Sequence, residues 1–149
     1  MTSQDIYADL FSSILKFCGD VAPMIGAGDA KVVNFDAYDT DDEQMPAGDL
    51  IGPAQYALTV DEHLAKVTVM IGVMTAEDPN LFRLNAVVGK LLNYLLPGKS
   101  FWAVSAETGD RLGDLMVENG TQVFPILSDS VRPMKFIGVR LSCNVTFGL

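Results

Sequence analysis

The clearest hydrophobic pattern in the chain lies between Leu64 and Leu96. From Lys66 to Met74, Val67, Val69, Ile71 and Val73 alternate with Lys66, Thr68, Met70, Gly72 and Met74, which predicts a strand with one β-branched apolar face. Asp78 and Pro79 then predict a helix start, the carboxylate accepting from free backbone N–H groups and the proline presetting φ at the first position. Leu81, Leu84, Val88, Leu91, Leu92 and Leu95 recur at helical spacing, and Pro97-Gly98 ends the run.

The same reading extends to both sides. Residues 3–18 predict an amphipathic helix, with Ile6, Leu10, Phe11, Ile14, Phe17 and Cys18 on one side and Gln4, Asp9, Ser12, Ser13 and Lys16 on the other. Thr2 and Asp5 cap its start and Gly19 supplies a stop. Lys31 to Tyr38 predicts a second strand with Val33, Phe35 and Ala37 on one side, and residues 36–52 a long solvated acidic loop. Gln55 to Val60 is read as a hairpin arm pairing with the strand after Lys66, in preference to a helical turn capped by Thr59. Beyond the central helix, Phe101 to Ala106 is a strand, with Gly109 and Gly113 marking the next turn. Leu115 to Glu118 and Thr121 to Leu127 flank Asn119-Gly120, a strong hairpin signal, with Pro125 at an edge or bulge. The last strand runs from about Met134 to Phe147, with Ile137, Val139, Leu141, Cys143, Val145 and Phe147 opposite Gly138, Arg140, Ser142, Asn144 and Thr146. Together these elements predict an α+β fold: a mixed, mainly antiparallel sheet with an N-terminal helix and a central helix packed on one face, as a single domain over 1–149.

Composition narrows the classes. Hydrophobic residues make up 49% of the 149 positions and charged residues 19%, which suits a compact globule. The two cysteines, Cys18 and Cys143, sit in apolar periodic segments, as free thiols do in a reducing cytosol. No secretory signal and no membrane-spanning run is expected. The net charge of −9 is unevenly placed, with twelve acids against two bases in residues 1–65 and seven against eight in residues 66–149. Wrapping of nucleic acid, which needs clustered bases, is disfavoured; a complementary protein partner or a second copy is favoured.

Candidate chemistry is sparse. The single histidine, His63, stands beside Asp61 and Glu62 in an expected turn. The acids from Asp36 to Asp49 miss the EF-hand register, because a start at Asp36 puts Tyr38 and Thr40 at ligand positions and a start at Asp39 puts Leu50 where glutamate belongs. Gly26-Ala27-Gly28 follows a helix instead of a strand and lacks the third glycine of a dinucleotide loop. Glu107 and Asp110 flank Gly109 with nothing to desolvate them. No catalytic, cofactor or metal site is expected; the runner-up from another class is a small cytosolic α+β enzyme or ligand-binding domain with a deep polar pocket.

Four runs in the second half carry a resemblance. They are Leu91-Leu92-Asn93-Tyr94-Leu95-Leu96-Pro97-Gly98, then Thr108-Gly109 with Gly113, then Gly120-Thr121-Gln122-Val123-Phe124-Pro125, and finally Arg132-Pro133-Met134-Lys135-Phe136-Ile137-Gly138-Val139. This part of the chain resembles the C-terminal half of tail terminator (tail completion) proteins of tailed bacteriophages, and the order of elements is similar too. The acidic stretch before Gln55 lies outside the resemblance. The resemblance implies a structural virion protein at the neck, assembled in the host cytoplasm. It implies a ring, usually a hexamer, that caps the tail tube protein and presents a docking surface to head-completion or neck proteins, with sheath as a further neighbour. It implies no enzyme activity and no sequence-specific nucleic-acid binding, although DNA passes through the lumen of such a ring. A head-completion or neck adaptor protein is the alternative within the same connector. The ring needs two different patches of one subunit. The expected interface residues are Asp36, Asp39, Asp41, Asp42 and Glu43 in the acidic loop, Met70 and Met74 on the second face of the central strand, and Arg132, Lys135 and Arg140. On this reading Arg132→Glu with Arg140→Glu leaves the monomer folded and weakens assembly.

Overall fold

The computed structural model describes residues 2–3, 5–38, 45–126 and 132–147. In chain order the elements are β1 (Thr2–Ser3), α1 (Ile6–Val21), β2 (Lys31–Val32), β3 (Leu50–Asp61), β4 (Leu64–Met74), α2 (Phe82–Tyr94), β5 (Ser100–Val104), β6 (Arg111–Val117), β7 (Gln122–Val123), β8 (Met134–Asn144) and β9 (Thr146–Phe147). The main sheet runs β2-β3-β4-β8-β6-β5, with β7 also on β8, and all its pairings but the short β2–β3 one are antiparallel. Both helices pack on one face, as the α+β reading expects. β1 and β9 form a separate parallel pair.

The central strand forms as its alternation dictates, and the hairpin arm pairs with it as expected, but the arm begins at Leu50, inside the expected 36–52 loop, and not at Gln55. β3 and β4 pair along their whole length around a Glu62-His63 turn, with Glu62 at φ 53°. Val67, Val69, Ile71 and Val73 face the helices. The alternation of β8 also holds: Ile137, Val139, Leu141 and Cys143 are buried and Arg140 and Asn144 exposed.

The carboxylate caps form as expected, but the bounds of both helices differ. Asp5 accepts from Ala8 N at 3.1 Å, but Gly19 does not end α1. The apolar stripe continues through Val21 into a 3-10 turn over Ala22–Ile25, and Gly26, at φ 82°, is the left-handed stop. Asp78 does accept helix N–H groups, from Arg83 at 3.2 Å and Leu84 at 2.8 Å, and also takes the Thr75 hydroxyl at 3.0 Å. Pro79 is not the first helical residue, since α2 starts at Phe82 after Leu81 turns through φ 60°.

Two further expectations are corrected. Lys31 to Tyr38 is a strand only over Lys31–Val32, after which Phe35–Ala37 forms a 3-10 turn so that Val33 and Phe35 can cover the sheet's second face. Asn119-Gly120 does not join a hairpin. Both β6 and β7 pair with β8, and the chain between Val117 and Gln122 bulges out where β8 advances only from Gly138 to Leu141. The neighbour that each arm meets is a distant strand, which local turn chemistry does not encode.

The sheet curls around its helices, and α1 closes the seam. α1 contacts β3 and β5, which lie toward opposite edges of the sheet. Toward β3, Tyr56 donates from its hydroxyl to Tyr7 O at 2.9 Å, and its ring lies 4.9 Å from that of Tyr7 and 5.2 Å from that of Phe11. Toward β5, Phe17 stacks on Phe101 at 4.4 Å. Asp9 and Ser13, expected on the wet side of α1, are buried instead. Ser13 Oγ accepts from Val104 N at 2.7 Å and Asp9 Oδ1 accepts from Ala106 N at 2.8 Å, so two side chains satisfy the backbone at the sheet's open edge.

A smaller core covers part of the second face, formed by Val33, Phe35, Met45, Leu50, Ala54, Met74 and Met134. It depends on a glycine pair: Gly52 and Gly72 are direct partners across β3 and β4. The floor that they leave lets Phe35 meet Phe136 edge to face, with centroids 5.9 Å apart.

Two carboxylates make this framework acid-sensitive. Asp49 accepts from Arg83 Nη1 at 2.6 Å and from Ala76 N at 2.8 Å. The hydrogen bond from Arg83 is the largest influence on its pKa and lowers it, burial opposes this, and the net direction is down. Burial pushes Asp78 up, but hydrogen bonds from Leu84 N, Arg83 N and Thr75 outweigh it, and again the net direction is down. A depressed carboxyl contributes stability above its unfolded value, about pH 4, and loses it as pH falls through the folded value. The melting temperature is therefore expected to hold from neutral pH to about pH 5 and to fall below about pH 4, with a shallower fall in Asp49→Asn and Asp78→Asn. An unchanged acid limb in both variants would refute this assignment.

Candidate functional site

The face of the sheet turned away from the helices carries the candidate site. In β3 the alternation is reset by a one-residue bulge between Ala54 and Ala57, so that Tyr56 and Leu58 turn to the helices and Ala57 and Thr59 turn outward. Gln55 sits in this bulge at φ 54°, and its N–H donates to both carboxylate oxygens of Asp36, at 2.9 and 3.0 Å. The outward residues then form rows across the strands: Thr59, Lys66, Ser142 and Met116 in one, and Ala57, Thr68 and Arg140 in the next. At the β5 end, Trp102 is 57% exposed and Met116 49% exposed. The Arg111 guanidinium lies over the Trp102 ring at 5.0 Å from its centroid.

The expected interface residues are scattered by the fold. Asp36 pins the β3 bulge of its own chain. Met70 lies on the outer face, half-buried, whereas Met74 is 1% exposed inside the smaller core and offers no surface to a neighbour. Arg132 donates to Gly48 O at 2.6 Å and to Pro46 O at 2.7 Å, holding the end of the acidic loop. Lys135 belongs to the helix-facing register of β8 and donates to Asn85 Oδ1 at 2.9 Å. Of the three bases, only Arg140 lies exposed on the outer face. Asp39, Asp41, Asp42 and Glu43 lie outside the described residues. The charge-reversal pair Arg132→Glu and Arg140→Glu is therefore not a clean assembly test, since the first substitution removes two backbone contacts within the monomer.

Trp102, Met116, Lys66 and Glu118 were not among the expected interface residues. The signal for Trp102 was present in the alternation Phe101-Trp102-Ala103, where the flanking residues face the core and the largest side chain faces out. Its partners on β6 and β8 needed the tertiary register.

Both cysteines lie in the helix-facing core. The Cys18 thiol is pushed up to about 12 by burial, and Cys143 is buried and raised as well. Among the described residues no group of three or more His, Cys, Asp or Glu could hold a metal ion, and no helix is long and apolar enough to cross a membrane. Compared with known proteins, the chain matches no family model and no curated protein.

Proposed function

We propose that the chain is a structural subunit of a ring, a tail-terminator-like protein that caps a tail tube and serves as a docking surface for head-completion or neck proteins. The observation that supports this reading best is the Trp102–Met116 patch on the outer sheet face, since exposed aromatic and methionine side chains together favour protein contact. A second apolar patch lies at the end of α2 and the turn after α1, where Met24, Tyr94 and Leu96 are 58%, 38% and 41% exposed. Two unlike patches on one chain are what a head-to-tail contact needs, and such contacts close into rings when the rotation between subunits permits. The ring itself, its hexameric order and its place in a virion rest on the sequence resemblance.

Sedimentation of the purified chain, with negative-stain images, tests this. A closed ring with a central hole is expected, and Trp102→Ser should release monomers with an unchanged melting curve. A strict monomer at high concentration, with no binding to a tail tube protein, would overturn the proposal.

A further inference from the structure

The outer face is charged differently along the β4–β8 pair than at its Trp102 end. A depression of about 610 Å³ lies over Thr59, Lys66, Thr68, Arg140 and Ser142, and it continues into one of about 220 Å³ over Met70, Phe124 and Gly138; Thr68 and Arg140 border both. Gly138 lets the Phe124 ring lie against β8, since a Cβ there would lie 2.8 Å from that ring. Lys66 pairs with Ser142 and Thr68 with Arg140, so the two cations are diagonal neighbours on one face, roughly 7–8 Å apart at their Cα atoms. Neither is in an ion pair among the described residues. Glu118, the acid of this lining, is hydrogen-bonded by the Ser142 hydroxyl.

We infer that this trough docks an extended acidic peptide segment of a partner protein, with carboxylates on Lys66 and Arg140 and an apolar side chain on the Met70–Phe124 floor. Charge complementarity selects the occupant. Two unneutralised cations in a chain of net charge −9 are a local exception that attracts carboxylates, and the guanidinium can take one in bidentate fashion. Asp61 on the β3 side and Glu118 on the β6 side flank the cations on the same face, so the longer phosphate run of a nucleic acid meets repulsion on either side. From Gly138 to Ser142 the trough is about 14 Å long at the usual strand rise, the length of about four extended residues. In an extended segment every second side chain faces the trough, so carboxylates at positions i and i+2 would meet the two cations and an apolar residue at i+4 would meet the floor. The inference does not rest on the ring reading, because it concerns a ligand of the individual face.

Calorimetric titration with the acetylated, amidated hexapeptide Glu-Ser-Glu-Ser-Val-Ser tests it, beside the counterpart with lysine in place of glutamate, inorganic phosphate and oligothymidylate. Binding of the glutamate peptide alone is expected, weakening as salt is raised. Lys66→Gln with Arg140→Gln should weaken it about tenfold or more, while Glu118→Gln should tighten it. Melting curves check that the variants remain folded, and Arg140→Lys supplies a milder arm that keeps the charge and removes only the bidentate contact. No binding, binding untouched by the double substitution, or oligothymidylate binding at least as tightly would each overturn the inference. Sedimentation reports on the ring and calorimetry on the trough, so either can fail alone.

Discussion

Gly52→Ala is expected to be the most damaging single methyl group that can be added to this chain. A Cβ at position 52 would lie 1.6 Å from Val33 O and 2.8 Å from Val33 C, and both are backbone atoms that cannot rotate away. The Val33 N–H donates to Ile51 O at 2.9 Å, so moving that segment also breaks the β2–β3 junction. The loss should reach about 3 kcal/mol or more, above the usual cost of overpacking, because the clash is with main chain. Gly72→Ala supplies the comparison. Its Cβ would meet the rings of Phe136 at 2.6 Å and Phe35 at 2.9 Å, and side chains can yield, so a smaller loss of about 1–3 kcal/mol is expected. Denaturant unfolding of both variants measures the difference. Equal losses, or a stable Gly52→Ala protein, would show that Val33 does not lie across Gly52.

Ser13→Val should cost about 2–4 kcal/mol, through an orphaned donor and an added methyl group together. Ser13 is 1% exposed, and its hydroxyl accepts from Val104 N at 2.7 Å while donating to Asp9 O at 2.7 Å. Valine has nearly the shape of the serine side chain plus a methyl, and it leaves the Val104 N–H buried without a partner. Hydrogen exchange gives the specific readout: the Val104 and Ala106 amides should lose protection before those of β4, because the seam between α1 and β5 opens first. Uniform loss of protection would mean that α1 does not act as a closure of its own. The same residue shows why a buried polar group on an amphipathic helix is not an error: it caps a sheet edge that would otherwise invite pairing.

How much of the fold could be read from the sequence follows from what each element depends on. β4, β8 and the inward stripes of α1 and α2 were legible, because burial of one face imposes a period on the residues themselves. The role of Asp78 was legible too, since a carboxylate close before a helix has free N–H groups within reach. The hairpin expected at Asn119-Gly120 was not realised, since its two arms pair instead with β8, a strand that follows both in sequence. Asp9 and Ser13 looked solvated because the edge that they satisfy lies some ninety residues away.

For the candidate site the division is sharper. Sequence alone set the outward direction of Met70 and Arg140, because the period of two leaves each residue one side of its strand. It also set the uneven charge, with acids crowded into the first half and bases in the second. Only the tertiary structure decided which of these residues meet. It took Met74 into a second core, turned Lys135 toward α2, bound Arg132 to the backbone of residues 46–48, and set Lys66 diagonal to Arg140. Periodicity fixes a side chain's face locally, but strand order and register are settled by contacts between distant segments, and a shared surface exists only once those are made.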